Sequence, residues 1–360
     1  MAVGRVRPAV TGLASYRPGK GASQAEAEHG IRNAIKLASN ENPYEPVDAV
    51  RAAIIAAAAT VNRYGDHRAS ELRSAIANWL AVDSEQVTVG CGSVGLLQQL
   101  CLTYVDPGDE VVFPWPSFEA YPINVRLMGG VVVAVDLIDN RFDLDAVAAA
   151  VTDKTKIVML ATPNNPTGTA VRTDAIKAMI EKIPDDVIVL VDEAYREFVS
   201  PEFGDPVADL VPHHRNLIVT RTFSKAYGLA GLRSGYAVGD PEVISEIDKA
   251  LIPFAVNSIA QAATLAALGA LDEIQSRVDA ILRERARMVA ALQEAGWDLP
   301  DAQANFVYIP VGERTDAVAP ELEKQGVVIR PFSGEGIRVT VGTVEENDRF
   351  LKTFGSLTAS

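Results

Sequence analysis

Three stretches of this 360-residue chain place reactive or charge-bearing side chains directly after apolar runs. The first is VTVGCGSVGLLQQL, where a strand-like run leads into Gly90-Cys91-Gly92-Ser93-Val94-Gly95 and then into a helix-like run. Glycine lets backbone N–H groups approach an anion, and a helix start adds favourable partial charge, so this turn suits a phosphate. The same letters match GxGxxG, which points to a dinucleotide when an acid closes the following strand. Here Asp109 and Glu110 instead precede the next strand-like run, EVVFPW. The second stretch, VIVLVDEAYREF, ends an apolar run on Asp192 and Glu193, with Tyr195 close behind. An acid so placed is costly to bury unless it meets a cation or metal, and otherwise serves as a helix cap. A Walker-type magnesium site would also need GxxxxGK[ST], and the nearest string, RPGKGAS, follows no strand. The third stretch, NLIVTRTFSKAYGLAGLRSGYAVG, runs into Thr222-Phe223-Ser224-Lys225, with Arg233 beyond a glycine-rich turn. Burial and neighbouring cations favour the neutral form of a lysine, so this one suits a reactive amine beside a bound phosphate. Each stretch also has a plain structural explanation: a tight turn, a capping acid, a solvated lysine.

The elements that must hold these residues are legible in the hydrophobic pattern. QVTVG, EVVFPW, GVVVAVDL, KIVMLATP, VIVLVDEA and NLIVTRTF read as strands, several of them apolar throughout, as a sheet covered on both faces requires. They alternate with helical stretches such as VDAVRAAIIAAAATV and ASELRSAIANWLAV, which predicts an α/β fold with a mostly parallel sheet of the seven-stranded type. Ligands on such sheets sit beyond the carboxyl ends of the strands, where all three stretches fall. From about Pro253 the pattern changes to long helical material, with Asn257 or Ser258 as N-cap and Gly296 near its end, then strand-like ANFVYIP, GVVIRPF and GIRVTVG and a last helix around EENDRFLKTFG. This predicts an irregular N-terminal arm over 1–40 that packs on the small domain or a partner subunit, a large domain over 41–255 and a smaller α+β domain over 256–360.

Composition removes several function classes. With 33 Lys and Arg against 47 Asp and Glu, the net charge is −14, a poor general match for nucleic acid or an anionic membrane. Two cysteines, Cys91 and Cys101, cannot build a disulfide framework, and neither they nor the four histidines show metal-ligand spacing. No run of about 18 apolar residues suggests a membrane span, and the expected setting is the cytoplasm. Cys91 reads as a small buried residue beside the phosphate turn.

Taken together, a phosphate cradle, a buried acid and an activated lysine are what pyridoxal phosphate requires: N–H groups and an arginine for its phosphate, a carboxylate for its ring nitrogen, and an amine for its aldehyde. The chain resembles fold-type I pyridoxal-phosphate aminotransferases, and among them the histidinol-phosphate aminotransferase branch. The strings that carry the likeness are KLASNENPYEP, VNRYGDHRASELR, GCGSVGLLQQL, ATPNNPTGT, VDEAYREF, RTFSKAYGLAGLRSGY, ANFVYI, GVVIRPF and GIRVTVGT. The resemblance implies that Lys225 forms the Schiff base and shuttles the proton, that Asp192 partners the pyridine nitrogen, and that Tyr195 and Asn165 bond the ring's 3-oxygen. It further implies a phosphate set of Ser93, the Val94 N–H, Thr222, Ser224 and Arg233, and Phe118 stacked on the ring. Tyr64 would reach the cofactor phosphate of the other subunit in a homodimer. Arg338 would clamp the substrate α-carboxylate, with Arg330, Tyr16, Asn42 and Phe254 also facing substrate.

The donor is read from departures. The histidinol-phosphate pattern tends to carry a polar residue where Val94 stands and tyrosine where Phe118 and Phe254 stand. A site built for an anion loses heavily with each missing donor, whereas an aromatic ring gains from apolar walls. The likeness is therefore to the actinobacterial aromatic or phenylalanine aminotransferases, with 2-oxoglutarate as acceptor. Histidinol phosphate is the alternative, since Tyr16 and Arg330 suit a phosphate as well as a carboxylate. A lyase on the same scaffold and a nicotinamide dehydrogenase using GxGxxG are more distant readings.

Overall fold

The computed structural model describes residues 4–16 and 18–358. The arm is less irregular than expected. It holds a helix, Ala22–His29, and a short strand β1 (Ile35–Lys36) that pairs in parallel with Val327-Val328. Only Ala25 of that helix is buried, so it has no apolar stripe for a sequence reading to detect.

The large sheet is formed by β2 (Val87–Cys91), β3 (Glu110–Trp115), β4 (Val131–Asp136), β5 (Thr155–Ala161), β6 (Ile188–Asp192), β7 (Leu217–Thr222) and β8 (Ser234–Gly239), in the spatial order β2-β8-β7-β6-β5-β3-β4. All neighbouring pairs are parallel except those that β8 makes with β7 and β2. The six strands expected are present. The seventh, β8, lies in SGYAVG, whose two glycines and single Val hide the strand pattern. A Cβ on Gly235 would lie 2.6 Å from the Ser93 nitrogen, so this strand needs glycine to let the turn after β2 approach. The topology also disposes of the dinucleotide reading: β2 pairs only with antiparallel β8, and β3 lies at the other side between β5 and β4, so GxGxxG opens no βαβ unit.

Alternation along the central strands divides two apolar layers. Ile157, Met159, Ile188 and Leu190 face one layer with Leu96, Leu100 and Phe113, while Val158, Leu160, Val189 and Val191 face the other with Leu72 and Ile76. Edge strand β4 is half-exposed, as one uncovered side requires.

After residue 256 the long helical run is two helices, Ser258–Leu268 and Leu271–Glu294, interrupted at Gly269-Ala270. Asn257 is the cap, its Oδ1 accepting from the Ala260 N–H at 2.9 Å, and Gly296 adopts φ +88° at the far end. The first helix packs on the helices Asp48–Ala58 and Ser70–Leu80, and the second on β9 (Phe306–Ile309) and the last helix, Val344–Thr358. GVVIRPF splits into β10 (Val327–Val328), the partner of β1, and β11 (Arg330–Phe332). β11 joins β12 (Gly336–Thr340) and β9 in an antiparallel sheet of order β11-β12-β9. Among the described residues no helix is long and apolar enough to cross a membrane.

Candidate active site

The carboxyl ends of β2, β3, β5, β6 and β7 and the start of β8 open onto one cavity of about 640 Å³. Asp192 ends β6 and is buried, with the Tyr121 hydroxyl donating to Oδ2 at 3.1 Å and the Thr220 hydroxyl to Oδ1 at 3.2 Å. No cation lies within ion-pair distance among the described residues, and burial pushes its carboxyl up to about 6. The adjacent Glu193 is handled differently. Strand alternation turns it to the opposite side, where Arg221 donates to it from Nε at 2.8 Å and Nη2 at 2.7 Å. Of the two acids read from VDEAY, one is neutralised within the fold and one is held ready.

Lys225 follows β7. Its Nζ donates to the Ser39 carbonyl at 3.3 Å and lies 5.7 Å from the centre of the Tyr195 ring. Burial lowers its pKa to about 8, and Arg338 and then Arg233 push the same way against the opposing pull of Glu41. Beside it, Gly92 takes φ +70° at the start of the helix Gly92–Tyr104, and a Cβ there would fall 2.5 Å from Arg233 Nη2. The Thr222 hydroxyl donates to Ser224 Oγ at 2.9 Å, and Arg233 Nη1 donates to the same Oγ at 3.3 Å and to the Ala230 carbonyl at 2.9 Å. Ser93, Thr222, Ser224 and Arg233 thus meet at a helix N-terminus, a set of donors that fits a phosphate.

From the small sheet, Arg338 on β12 is buried and reaches across to Asn165, beyond the end of β5, and to Ala38 of the N-terminal segment. Nη1 donates to Asn165 Oδ1 and Nη2 to the Ala38 carbonyl at 2.7 Å, while Nε is buried with no partner. Residues 38–40 touch three of the expected groups in succession: Ala38 accepts from Arg338, Ser39 from Lys225, and Asn40 Nδ2 donates to the Tyr195 hydroxyl oxygen at 2.8 Å. Asn40, at φ +51°, is itself fixed by Thr340 and Asn305, so the arm ties the two sheets together at the site. Because Asn40 occupies an acceptor position of the Tyr195 oxygen, the tyrosine O–H is left to donate into the cavity.

Val94, Phe118, Tyr16, Phe332 and Ile123 line the outer part of the cavity. Two ion pairs sit there, Arg330 with Glu119 and Lys36 with Glu41. Three sequence-derived candidates do not line it. Asn42 spends its amide on the Ala226 carbonyl at 2.8 Å and its Oδ1 on the Tyr44 N–H, and so braces the loop beyond Lys225. Tyr64 and Phe254 are exposed and stack on one another with ring centres 4.5 Å apart, outside this chain's cavity. Tyr121, Thr220, Asn40 and Glu119 escaped the sequence reading. Tyr121 and Glu119 lie within three residues of the expected Phe118, but their partners are 71 and 211 residues away. Cys91, expected to be a small buried residue, is instead exposed, because it ends the edge strand β2 where the chain leaves the sheet for the turn.

Among the described residues, a buried acid without a cation, a partly neutral amine and two arginines without carboxylates are gathered in one cavity, a donor and charge set complementary to a phosphorylated carbonyl compound with a cationic ring and to an organic acid. The family described as aminotransferase class I and II matches residues 32–354, and the chain belongs to it. It is 48% identical over 348 residues to the aromatic amino acid aminotransferase of Mycobacteroides abscessus, covering 97% of each chain. With the aromatic amino acid aminotransferase of Mycobacterium tuberculosis it shares 47% identity over 350 residues, again 97% of each. Among solved structures, histidinol-phosphate aminotransferase from Sinorhizobium meliloti in complex with pyridoxal-5'-phosphate superposes with a TM-score of 0.91 at 30% identity over 99% of both chains.

Proposed function

We propose that the protein transfers the amino group of aromatic amino acids, phenylalanine and tyrosine, to 2-oxoglutarate with pyridoxal phosphate as cofactor, and that it works as a homodimer. The observation that carries this reading is the group of four ionisable side chains at the cavity floor, Asp192, Lys225, Arg233 and Arg338, that have no counter-ion among the described residues. A buried carboxylate at Asp192 fits a protonated ring nitrogen, and the donors of Ser93, the Val94 N–H, Thr222, Ser224 and Arg233 fit the cofactor phosphate. Tyr195 and Asn165 fit the ring oxygen, and Phe118 a ring face. When bound, this cofactor supplies an electron sink for the bond broken at the substrate α-carbon.

The chain's own residues account for the remaining work. Lys225 Nζ would hold the cofactor by its aldehyde carbon, and as a free amine it takes the substrate's α-proton and returns it. A pKa of about 8 keeps a useful fraction of the amine neutral near physiological pH. Arg338 offers its unpartnered Nε to the α-carboxylate, which draws the substrate between the two sheets. The division into an arm over 1–40, a large domain over 41–255 and a small domain over 256–360 suits this, since Arg338 comes from the last and Lys225 from the second. Tyr64, exposed beside Phe254, suits a residue lent to a partner subunit's site.

The names of the relatives and the hydroxyl-free walls at Val94 and Phe118 support aromatic donors. Histidinol phosphate is the second reading, favoured by Tyr16 and Arg330 at the mouth. Measuring kcat/KM for phenylalanine and histidinol phosphate in one assay decides between them. Phenylalanine is expected to lead by about tenfold or more, the scale set by unmet polar contacts, and a preference for the phosphate ester would overturn the donor assignment.

A further inference from the structure

Arg330 and Arg338 are directly opposed on the antiparallel strands β11 and β12, so the small sheet delivers two guanidinium groups to one cavity. Like charges opposed on a sheet repel, and the fold treats the two in contrary ways. Arg338, the buried one, keeps Nε unpartnered and meets no carboxylate among the described residues. Arg330, nearer the mouth, donates from Nη2 to Glu119 Oε2. The exposure of this pair is one-sided. Arg330's side chain is 16% exposed, with Nη1 3.4 Å from the Pro18 carbonyl and its guanidinium 6.0 Å from the centre of the Phe332 ring. Glu119's side chain is 40% exposed and borders open solvent. A carboxylate open to water therefore faces a guanidinium that is mostly covered and contacted from two other sides. The contrast with Arg221–Glu193, exposed by 4% and 3%, is plain: that pair is closed off from water on both sides, whereas Arg330–Glu119 is open to it on the carboxylate side.

We infer that Glu119 is a specificity-determining residue that serves as a built-in counter-carboxylate. It keeps Arg330 neutralised while an uncharged aromatic side chain fills the outer cavity, and it gives Arg330 up to the distal carboxylate of a dicarboxylic acceptor. This rests on the reading of the site as an aromatic transaminase. Such an enzyme must accept, in turn and in one cavity, a side chain that wants apolar walls and one that carries a negative charge. A permanently free Arg330 would favour the second and leave a desolvated cation beside the first. A permanently locked one would exclude the acceptor. Phosphate esters are disfavoured by the same device, because a dianion must evict Glu119 and then finds no hydroxyl on Val94 or Phe118.

The test uses purified holoenzyme, wild type and Glu119→Gln, and two unreactive acids: 3-phenylpropanoate for the aromatic side chain and glutarate for the acceptor. Calorimetric Kd values give an affinity ratio, glutarate over 3-phenylpropanoate. Removing the carboxylate that competes for Arg330 should raise that ratio about tenfold in the variant. The kcat/KM ratio of 2-oxoglutarate to phenylalanine should rise in parallel. In Glu119→Gln/Arg330→Met the gain should disappear. An unchanged ratio, a ratio that falls, or a gain that survives the double substitution would each overturn the inference. Wild-type protein that fails to turn over phenylalanine would defeat the aromatic reading instead, while the two calorimetric affinities would still decide the role of Glu119.

Discussion

At the floor of the cavity Asp192, Lys225, Arg233 and Arg338 stand without counter-ions among the described residues, whereas at its mouth Lys36 is matched by Glu41 and Arg330 by Glu119. Both regions draw charged side chains from both sheets or the arm, so composition alone does not separate them. What differs is burial and what remains unmet. An unpaired charge in a buried site is a standing cost that a protein tolerates where a ligand will cancel it. The floor is therefore complementary to something absent from the chain, while the mouth is complementary to itself. The same contrast is repeated in miniature at the end of β6, where Glu193 is satisfied by Arg221 and Asp192 is left to two hydroxyl groups.

Breaking the floor should have the largest effect. Lys225→Ala should lower turnover by about 10³-fold or more while far-UV circular dichroism keeps its native form, since both the covalent anchor and the proton carrier are lost. Retained turnover would remove the mechanism. The lowered lysine pKa adds a sign: the rate at which cofactor-free protein reloads should climb with pH up to about 8 and then level off, as the neutral amine becomes the dominant form. A rate that fell with rising pH over that span would contradict it.

Asp192→Asn should next separate binding from stability. In cofactor-free protein the folded-state pKa of Asp192, about 6, lies above its ordinary value near 3.8, so the folded state holds this proton more tightly than the unfolded one. Stability from this group is complete below about pH 4 and is lost as pH rises through about 6. The variant, which has no proton to lose, should be more stable than the wild type at pH 8 by up to about 3 kcal/mol, with the gap closing towards pH 4. Urea unfolding of both at the two pH values checks this, and a wild type that gained stability with pH relative to the variant would refute it. The variant should at the same time be a poor enzyme.

Arg338→Lys should have the smallest effect, with kcat/KM for amino donor and oxo acceptor falling together by about 10- to 100-fold, because a lysine keeps the charge but loses the planar fork. Steady-state kinetics with both substrates would show it. A loss confined to one substrate would place Arg338 with the mouth rather than the floor.

Much of this was legible before any coordinates. Apolar runs gave six of the seven large-sheet strands because a doubly covered sheet tolerates few polar residues along them. SGYAVG escaped because its glycines serve a close approach by the Ser93 turn rather than the strand's own pattern. Lys225, Asp192 and Arg233 were legible because reactive residues just after apolar runs have few other reasons to be there, whereas Arg338, in the middle of β12, came only from the resemblance carried by GIRVTVGT. The resemblance placed Asn42 on the substrate, but its amide donates to the Ala226 carbonyl. Asn40, two residues away, makes the contact with Tyr195 instead. Nothing in the string LASNEN distinguishes the two, since both are asparagines in the same extended segment and only the backbone turn at Asn40 decides which one points inward.

The one-dimensional chain determined periodicity, caps and the inventory of chemical groups, all of which depend on neighbours a few positions apart. Tertiary structure decided which of those groups are neutralised. Tyr121 meets Asp192, Glu119 meets Arg330 and Ala38 meets Arg338 across separations of 71, 211 and 300 residues. The charge a ligand meets is the sum left after such pairings, and that sum is fixed only when distant segments are brought within a few ångströms of one another.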